Sequence, residues 1–351
     1  MIKFFCTCGA PVFFDSNECK ACQTKIAFNP ITLRFHPIDR VSNKVSSIEG
    51  QVSWDLCENG IYYNVCNWLR PSHAESKLCF ACQFNRYIPN LSRPNNIRLW
   101  RVLELNKRHL LINLITLEIP CINFWDCPDE GFLFDFLEDF RDGPEEEATF
   151  VTTGYAGGVI TINTLEAEPL SRVAQQQASN EVYRTVLGHM RHEIGHHFFQ
   201  CIKGDQMLHS NFEKKFGSTS LDYNNSLAQF YDSGPDANWS EYCITAYASA
   251  HPMEDWAETW SHYLHIYDAL DTAFNFGLAV ENPNILSLQD KISYWRQLSV
   301  ALNEMNRSMG MSDIYPFVIN SKVEAKLEFV EQVIDYLRNK SRNSVSLLPL
   351  P

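Results

Sequence analysis

The feature that most constrains the fold of this 351-residue chain is a set of eight cysteines within its first 82 residues. They are closely spaced: C-x-C and C-x-x-C come first, and two single cysteines precede a second C-x-x-C. A tetrahedral zinc site needs four soft donors, and a tight pair supplies two of them from one turn. The two sets are Cys6, Cys8, Cys19 and Cys22, and Cys57, Cys66, Cys79 and Cys82. The spacing predicts two structural zinc sites in zinc ribbons, where the metal replaces a large core.

The grouping of these ligands is less constrained than their number. We predict that the first four and the last four form separate sites, although the spacing also permits an interleaved arrangement. Gly9 directly follows Cys8 and tolerates the positive φ of a tight ligand turn. A redox role and iron ligation are the alternatives for these thiols. Four further cysteines lack ligand spacing and are interpreted as buried thiols: Cys121, Cys127, Cys201 and Cys243.

Charge is distributed unevenly along the chain. The whole sequence has a formal net charge of -13. Residues 1–95 contain ten Lys/Arg and seven Asp/Glu, whereas the remainder contains 19 and 35. An acidic body argues against a nucleic-acid backbone as partner, because such binding needs basic surface. The sequence also has neither an apolar run long enough for a membrane helix nor a signal-peptide pattern, so we expect a cytoplasmic protein without membrane attachment.

The pattern of apolar residues predicts the α+β class, with a double zinc ribbon followed by a mostly helical domain that has a small β-sheet. Leucines at helical spacing mark a helix over 99–117, and alternating β-branched residues mark a strand over 159–164. Further helical patterns cover 180–202, 222–232, 252–272, 286–306 and 321–339. We predict a zinc-ribbon domain at 1–95, a connecting helix and loop at 96–125, and a metal-binding domain at 126–345.

A five-residue motif, His-Glu-Ile-Gly-His at 192–196, indicates a third metal site. On a helix, His192 and His196 face the same way and can bind one zinc, while Glu193 is placed to act as a base. Asn180 is a plausible N-cap for this helix. Glycines inside a helix are costly, so Gly188 and Gly195 suggest a close approach of another backbone, for which we consider the strand at 158–164.

A third zinc ligand has to come from elsewhere in the sequence. Phe199 and Ile202 stand where a metzincin would have glycine and histidine, which excludes that class. The segment after Pro252 instead offers Glu254 and Glu258 on one helical face. One of them can bind zinc while the other accepts a hydrogen bond from a zinc-bound histidine.

Several motifs resemble those of zinc-binding metallopeptidases that carry an N-terminal zinc ribbon. The resemblance covers nearly the whole chain and rests on the segments 66–69, 183–189, 191–196, 246–252, 254–260 and 306–310. It implies a zinc-peptidase fold of the gluzincin kind. The Glu-x-x-x-Glu helix is also similar to that of anthrax-lethal-factor-type peptidases. That local resemblance implies Glu254 as the zinc ligand and Tyr247 as the residue that stabilises the oxyanion. Glu258 is then the residue that accepts a hydrogen bond from a zinc-bound histidine, or else a rival ligand.

These observations predict a zinc metallopeptidase with one catalytic and two structural zincs, in which a zinc-activated water attacks the peptide bond and Glu193 is the general base. Peptides or proteins are the expected substrates, and a protein partner at the ribbons is a further expectation. The alternative is a ribbon-based interaction module with an inert domain or a non-peptidase zinc hydrolase. We also hypothesise that the strand ending near Asn163 pairs with an extended substrate.

Other polar residues near these motifs allow more than one interpretation. His251 is expected either to contact substrate or to cap its helix. A helical contact with Glu258 is the simplest interpretation of His262. Asp255 is either a residue that orients a ligand or an exposed carboxylate, and Arg307 is interpreted as part of a structural ion pair.

Overall fold

The computed structural model describes residues 2–45, 53–139, 151–178 and 184–343. The chain forms two compact units that divide between Glu168 and Pro169. The predicted class is confirmed: a zinc ribbon with two four-cysteine groups is followed by a mostly helical part. The domain boundaries predicted at 95 and 125 stay a prediction.

The strands of the first unit are short, with two to five residues each. These are β1 (Phe4–Phe5), β2 (Pro11–Val12), β3 (Ile26–Asn29), β4 (Arg34–Pro37), β5 (Lys44–Val45), β6 (Trp54–Leu56), β7 (Leu69–Pro71), β8 (Asn85–Tyr87), β9 (Leu133–Leu137), β10 (Gly154–Ala156) and β11 (Val159–Asn163). β1 pairs with β2, β3 pairs with β4, and β5, β6 and β7 form a three-stranded sheet. Phe28 lies at the centre of an aromatic cluster, with ring centroids 5.5 Å from Phe4, 5.3 Å from Phe14 and 5.4 Å from Trp68.

A four-stranded sheet completes the first unit, with strand order β10-β11-β9-β8. The strand expected at 159–164 is β11, which is antiparallel to β10 and parallel to β9. Because both of its edges already carry ladder hydrogen bonds, it cannot accept a peptide strand. The hypothesis of substrate pairing at the strand that ends near Asn163 is therefore wrong.

The described residues of the first unit include two α-helices, α1 (Glu58–Tyr63) and α2 (Asn96–Thr116). The leucine stripe of α2 is buried, as its periodicity predicts: Leu103, Leu110, Leu111 and Leu114 are fully enclosed. On the same helix, Glu104 and Lys107 form an ion pair of 3.0 Å that is also fully buried. The Glu104 carboxylate lies 3.9 Å from the Cys82 sulfur, so α2 reaches the second cysteine group.

The second unit is helical over its described residues. Its helices are α3 (Pro169–Ala178), α4 (Val186–Ile202), α5 (Gln206–Phe216), α6 (Tyr223–Ser233), α7 (Pro252–Asn275), α8 (Leu288–Ser308) and α9 (Ser321–Asn343). Each of the five helical patterns predicted from residue 180 onwards corresponds to a separate helix, namely α4, α6, α7, α8 and α9. Helices α3 and α5 were not predicted from the sequence. Helix α5 is short and is capped by Asp205, whose carboxylate accepts from the amides of Met207 and Leu208. Among the described residues, no helix is both long and apolar enough to cross a membrane.

Candidate metal centres

The structure groups the eight N-terminal cysteines sequentially. In each group the four sulfur atoms lie within 4.8 Å of one another. In the first group, the Cys6 sulfur is 3.7 Å from that of Cys22, and the Cys8 sulfur is 3.8 Å from that of Cys19. Distances of this size suit four thiolates around one zinc at about 2.3 Å each. The two groups thus have the donor chemistry and spacing of structural zinc sites.

Local turns shape the first cysteine group. Gly9 has φ of +84°, and its amide donates to the Cys6 carbonyl at 2.9 Å, as a ligand turn requires. The hydroxyl and the amide of Thr24 lower the pKa of the Cys22 thiol to about 6. A low thiol pKa favours the thiolate, which is the form that binds metal.

The second cysteine group is enclosed. All four of its cysteines are buried, whereas Cys8 and Cys22 of the first group are exposed. Backbone amides point at its sulfurs: Trp68 donates to Cys66 at 3.4 Å, and Cys79 donates to Cys57 at 3.3 Å. Such N–H···S bonds stabilise negative charge on buried sulfurs.

The histidine motif lies on α4, which begins at Val186. Thr185 caps the helix, and its hydroxyl accepts from the Gly188 amide at 3.0 Å. The N-cap is therefore Thr185, and Asn180 lies outside the described residues. Arg191, between the glycines of this helix, is buried and pairs with Asp268 at 2.7 Å.

Helix α7 packs directly against α4. A side-chain carbon added at Gly195 would lie 3.2 Å from Ala257 and from Trp260, so the close approach is made by α7 and not by the strand at 158–164. Two hydrogen bonds fasten the pair: Trp256 Nε1 donates to the Gly195 carbonyl at 2.8 Å, and Ser261 donates to the Gly188 carbonyl at 3.1 Å. The small size of Gly195 thus permits the close contact between the two helices, which brings the first turn of α7 to the histidines.

Three side chains from these helices converge in one cluster: His192, His196 and Glu254. The Nε2 atoms of the histidines are 3.2 Å apart. Glu254 places Oε2 3.0 Å from His192 Nε2 and Oε1 3.4 Å from His196 Nε2. Two imidazoles and one carboxylate are a donor set that zinc binds, with a fourth position left over.

Glu258 contacts the opposite side of His192. Its Oε1 is 2.7 Å from His192 Nδ1, and its Oε2 accepts from the Thr245 hydroxyl at 2.7 Å. Glu258 is not part of the three-residue cluster. A carboxylate on the outer nitrogen fixes the orientation and tautomer of a metal-binding imidazole.

The protonation behaviour of the cluster fits a cation at its centre. Burial lowers the pKa of His192, but its contacts with Glu254 and Glu258 outweigh burial, and the pKa lies well above its usual value. Burial raises the pKa of Glu254, yet the two histidines bring it well below the ordinary range. The two opposite pKa shifts both arise from the short distances between the imidazoles and the carboxylate, and binding of a metal ion to such ligands releases protons.

Two tyrosines, Tyr223 and Tyr247, lie beside the cluster together with Glu193. Glu193 is buried on the same turn of α4 as His192. The ring of Tyr247 is 6.0 Å from that of His192, and burial together with the charge of Glu254 raises the pKa of its hydroxyl far above its usual value. Phe230 and Tyr231 of α6 contact Tyr247 in turn.

Tyr223 is the residue that the sequence analysis missed. Its hydroxyl donates to Glu254 Oε1 at 2.7 Å. Burial is the largest cause that raises the pKa of this hydroxyl, and the negative charges of Glu254 and Glu193 raise the pKa further. It opens α6 directly after the N-cap Asp222, a setting that gives no hint of a metal-site contact. Only the proximity of α6 to the first turn of α7 reveals it.

The remaining interpretations have clear outcomes. His251 caps α7, and its Nδ1 accepts from the Met253 amide at 3.1 Å. His262 Nδ1 forms a hydrogen bond of 2.8 Å with the Tyr315 hydroxyl, and the charge of Glu258 also acts on the pKa of this ring. Asp255 is buried and forms an ion pair of 2.5 Å with Lys326. Arg307 forms the expected structural ion pair, at 2.7 Å from Asp313.

The four other cysteines do not join a metal-ligand group among the described residues. Cys121 and Cys243 are buried, as expected, whereas Cys127 and Cys201 are half-buried. Burial raises the pKa of Cys121 to about 12, so this thiol stays protonated.

Comparison with known proteins identifies a family and a domain that match the chain. Residues 96–333 match the family model "Putative zinc-binding metallo-peptidase", and residues 3–93 match a zinc-ribbon domain. An uncharacterized protein of Mycobacterium bovis is 34% identical over 344 residues, which cover 95% of this chain and 96% of the relative. Uncharacterized proteins from two Mycobacterium tuberculosis strains match with the same values. No solved structure matches the chain.

Proposed function

Because the chain belongs to the zinc-binding metallopeptidase family, we propose that it is a zinc-dependent hydrolase that cleaves peptide bonds in peptides or proteins. The observation that carries the proposal is the convergence of His192, His196 and Glu254, with Glu193 on the same helical turn. This arrangement has the ligand types and the open position of a catalytic zinc site of the gluzincin kind.

The proposed ligands of the catalytic zinc are His192, His196 and Glu254. Zinc bound there would supply Lewis-acid activation of water and of the scissile carbonyl. Glu258 is proposed as the residue that positions His192, since its carboxylate lies 2.7 Å from the outer nitrogen of that ring.

Glu193 is the proposed general base. It would accept a proton from the attacking water and deliver it to the nitrogen of the leaving amine. Its burial supports this role, because a carboxylate shielded from bulk water exchanges its proton with the bound substrate.

Tyr247 is proposed to stabilise the negative charge that develops on the carbonyl oxygen. Its raised pKa keeps the hydroxyl protonated, as a hydrogen-bond donor must be. Tyr223 is the other candidate for this role, because its 2.7 Å hydrogen bond to Glu254 places its hydroxyl at the cluster. Comparing Tyr247→Phe with Tyr223→Phe assigns the role: the donor is the residue whose loss lowers kcat with little change in KM.

The two cysteine groups are proposed as structural zinc sites, which gives three zincs per chain. We propose a cytoplasmic location, where unpaired thiols persist as metal ligands. A second candidate function is binding of a protein partner through the ribbons. It is favoured by α1, which follows Cys57 directly and exposes Ile61, Tyr62 and Tyr63.

The proposal is tested by digestion of a peptide library with the zinc-loaded chain, followed by mass spectrometry. Wild type should cleave, and Glu193→Gln should lower kcat by about 10²- to 10⁴-fold while zinc content stays the same. Glu241→Gln, an exposed glutamate of the same unit, is the matched control. If three zincs are bound and no library peptide is cut, the partner-binding function replaces the peptidase.

A further inference from the structure

A cavity of about 420 Å³ opens in the second unit, away from the side chains that form the metal cluster. Its walls come from the C-terminal end of α5, the first turn of α7 and the first turns of α9. This volume suits a small molecule or one to two residues of a peptide, because ligand pockets typically measure about 300–1,000 Å³.

The cavity carries an unusual concentration of positive charge. Four of the seven lysines between residues 169 and 343 line it: Lys214, Lys215, Lys322 and Lys326. The single acidic residue of the lining is Asp255, which is paired with Lys326 at 2.5 Å. In the part of the chain that the structure describes, no carboxylate lies within ion-pair distance of the other three lysines. In a chain of net charge -13, this cavity attracts anions.

The walls between the lysines are apolar. Phe216 and Tyr242 flank Lys326, whose Nζ lies 5.5 Å and 5.7 Å from their ring centroids. Leu221 and Pro252 extend this surface. A ligand with an apolar body would therefore gain from burial as well as from the charge of its anionic group.

The cavity and the metal cluster share the first turn of α7. Asp255 lines the cavity, and the preceding residue, Glu254, belongs to the cluster. The His251 ring also lines the cavity and lies 5.1 Å from the ring of Tyr223, whose hydroxyl donates to Glu254. A ligand in the cavity would touch the same short segment that presents Glu254 to the histidines.

We propose that this cavity is a binding site for an organic carboxylate with an apolar body, held by Lys214, Lys215 and Lys322. Two sources offer this chemistry, the C-terminal residue of a peptide and a free small acid. The proposal stands whether or not the chain hydrolyses peptides, because it concerns binding alone.

The test is a titration of the zinc-loaded full chain with N-acetylphenylalanine, followed by calorimetry or NMR. We expect saturable binding that is at least tenfold tighter than that of N-acetylphenylalanine amide, since the carboxylate forms charge-assisted hydrogen bonds with lysine that are stronger than those of a neutral amide. Lys322→Glu and the double change Lys214→Glu/Lys215→Glu should each weaken binding at least tenfold. Lys203→Glu, an exposed lysine outside the cavity, should leave the Kd within twofold.

Zinc content and thermal unfolding of every variant show whether the fold and the metal cluster are intact. Lys326 is left unchanged because it is buried against Asp255. Equal binding of the acid and the amide, no binding of the acid, or insensitivity to the cavity lysines would overturn the proposal. Loss of binding in Lys203→Glu to the same degree would do so as well.

The source of the carboxylate is identified with N-acetyl-Ala-Ala-Phe on the Glu193→Gln chain, which removes the proposed base. If the site takes peptide C-termini, this peptide binds at least as tightly as N-acetylphenylalanine. If the site takes free small acids, the longer chain is at least tenfold weaker.

Discussion

The second cysteine group and the His–Glu cluster differ as candidate metal sites in their number of donors and in their exposure. Cys57, Cys66, Cys79 and Cys82 supply four donors and are all buried. The cluster supplies three donors, and the His196 side chain remains 13% exposed. A complete set of ligands without solvent access stabilises a fold, whereas an incomplete set with an opening can accept a substrate. The number of donors and their exposure thus distinguish the proposed structural role of the cysteine group from the proposed catalytic role of the cluster.

The largest expected effect concerns the enclosed cysteine group. Cys79→Ser should remove one zinc and abolish the cooperative unfolding of the first unit, because structural zinc contributes on the order of 10 kcal/mol to such small domains. Zinc content and circular dichroism during heating measure this. Cys22→Ser, at an exposed position of the first group, is the comparison and should have the smaller effect on unfolding. Equal unfolding curves for Cys79→Ser and wild type would contradict a structural role.

Acid should weaken the second unit through His262. Burial lowers the pKa of His262 from 6.5 to about 4. The folded state thus resists protonation that the unfolded state accepts, so stability is complete above pH 6.5 and is lost as the pH falls towards 4. The loss between pH 7 and pH 5 should be about 2 kcal/mol.

Denaturant unfolding at both pH values measures this loss. His262→Gln should reduce the difference between them, and zinc content at pH 5 serves as control. An identical pH dependence in wild type and His262→Gln would assign the acid sensitivity to other groups. The pKa of the neighbouring His265 is also lowered by burial, so a residual dependence of the same sign is expected.

A smaller effect is expected from a change at Glu258, which contacts the outer nitrogen of the His192 ring. Glu258→Gln should weaken zinc binding at the cluster about 10- to 100-fold, as is typical when the partner of a ligand histidine is altered. Competition with a chelator measures the affinity, and the zinc of the cysteine groups should be unaffected. Glu241→Gln is again the matched control. An unchanged affinity would mean that His192 does not depend on Glu258.

The same two regions explain what could be predicted from the sequence. Candidate ligands that lie close together in the chain, such as Cys79 and Cys82 or His192 and His196, can be predicted from their spacing. One turn or one helical face brings them together. The leucine stripe of α2 and the start of α7 at Pro252 follow from equally local rules.

Contacts between distant segments could not be predicted in this way. The close partner of Gly195 is α7, the hydroxyl on Glu254 comes from Tyr223, and His262 bonds to Tyr315. Each depends on how whole helices pack, and none of these residues has a distinctive spacing. The resemblance to known peptidases implied Glu254 as a ligand, whereas spacing alone left Glu254 and Glu258 equivalent.

The most direct test of the central claim is the zinc content of purified wild type, His192→Ala, Glu254→Ala and Glu258→Ala by mass spectrometry. Wild type should contain three zincs per chain. His192→Ala and Glu254→Ala should each contain two, and Glu258→Ala should largely keep three when zinc is in excess. A wild type with two zincs, both retained in His192→Ala, would contradict a catalytic metal site on α4 and α7.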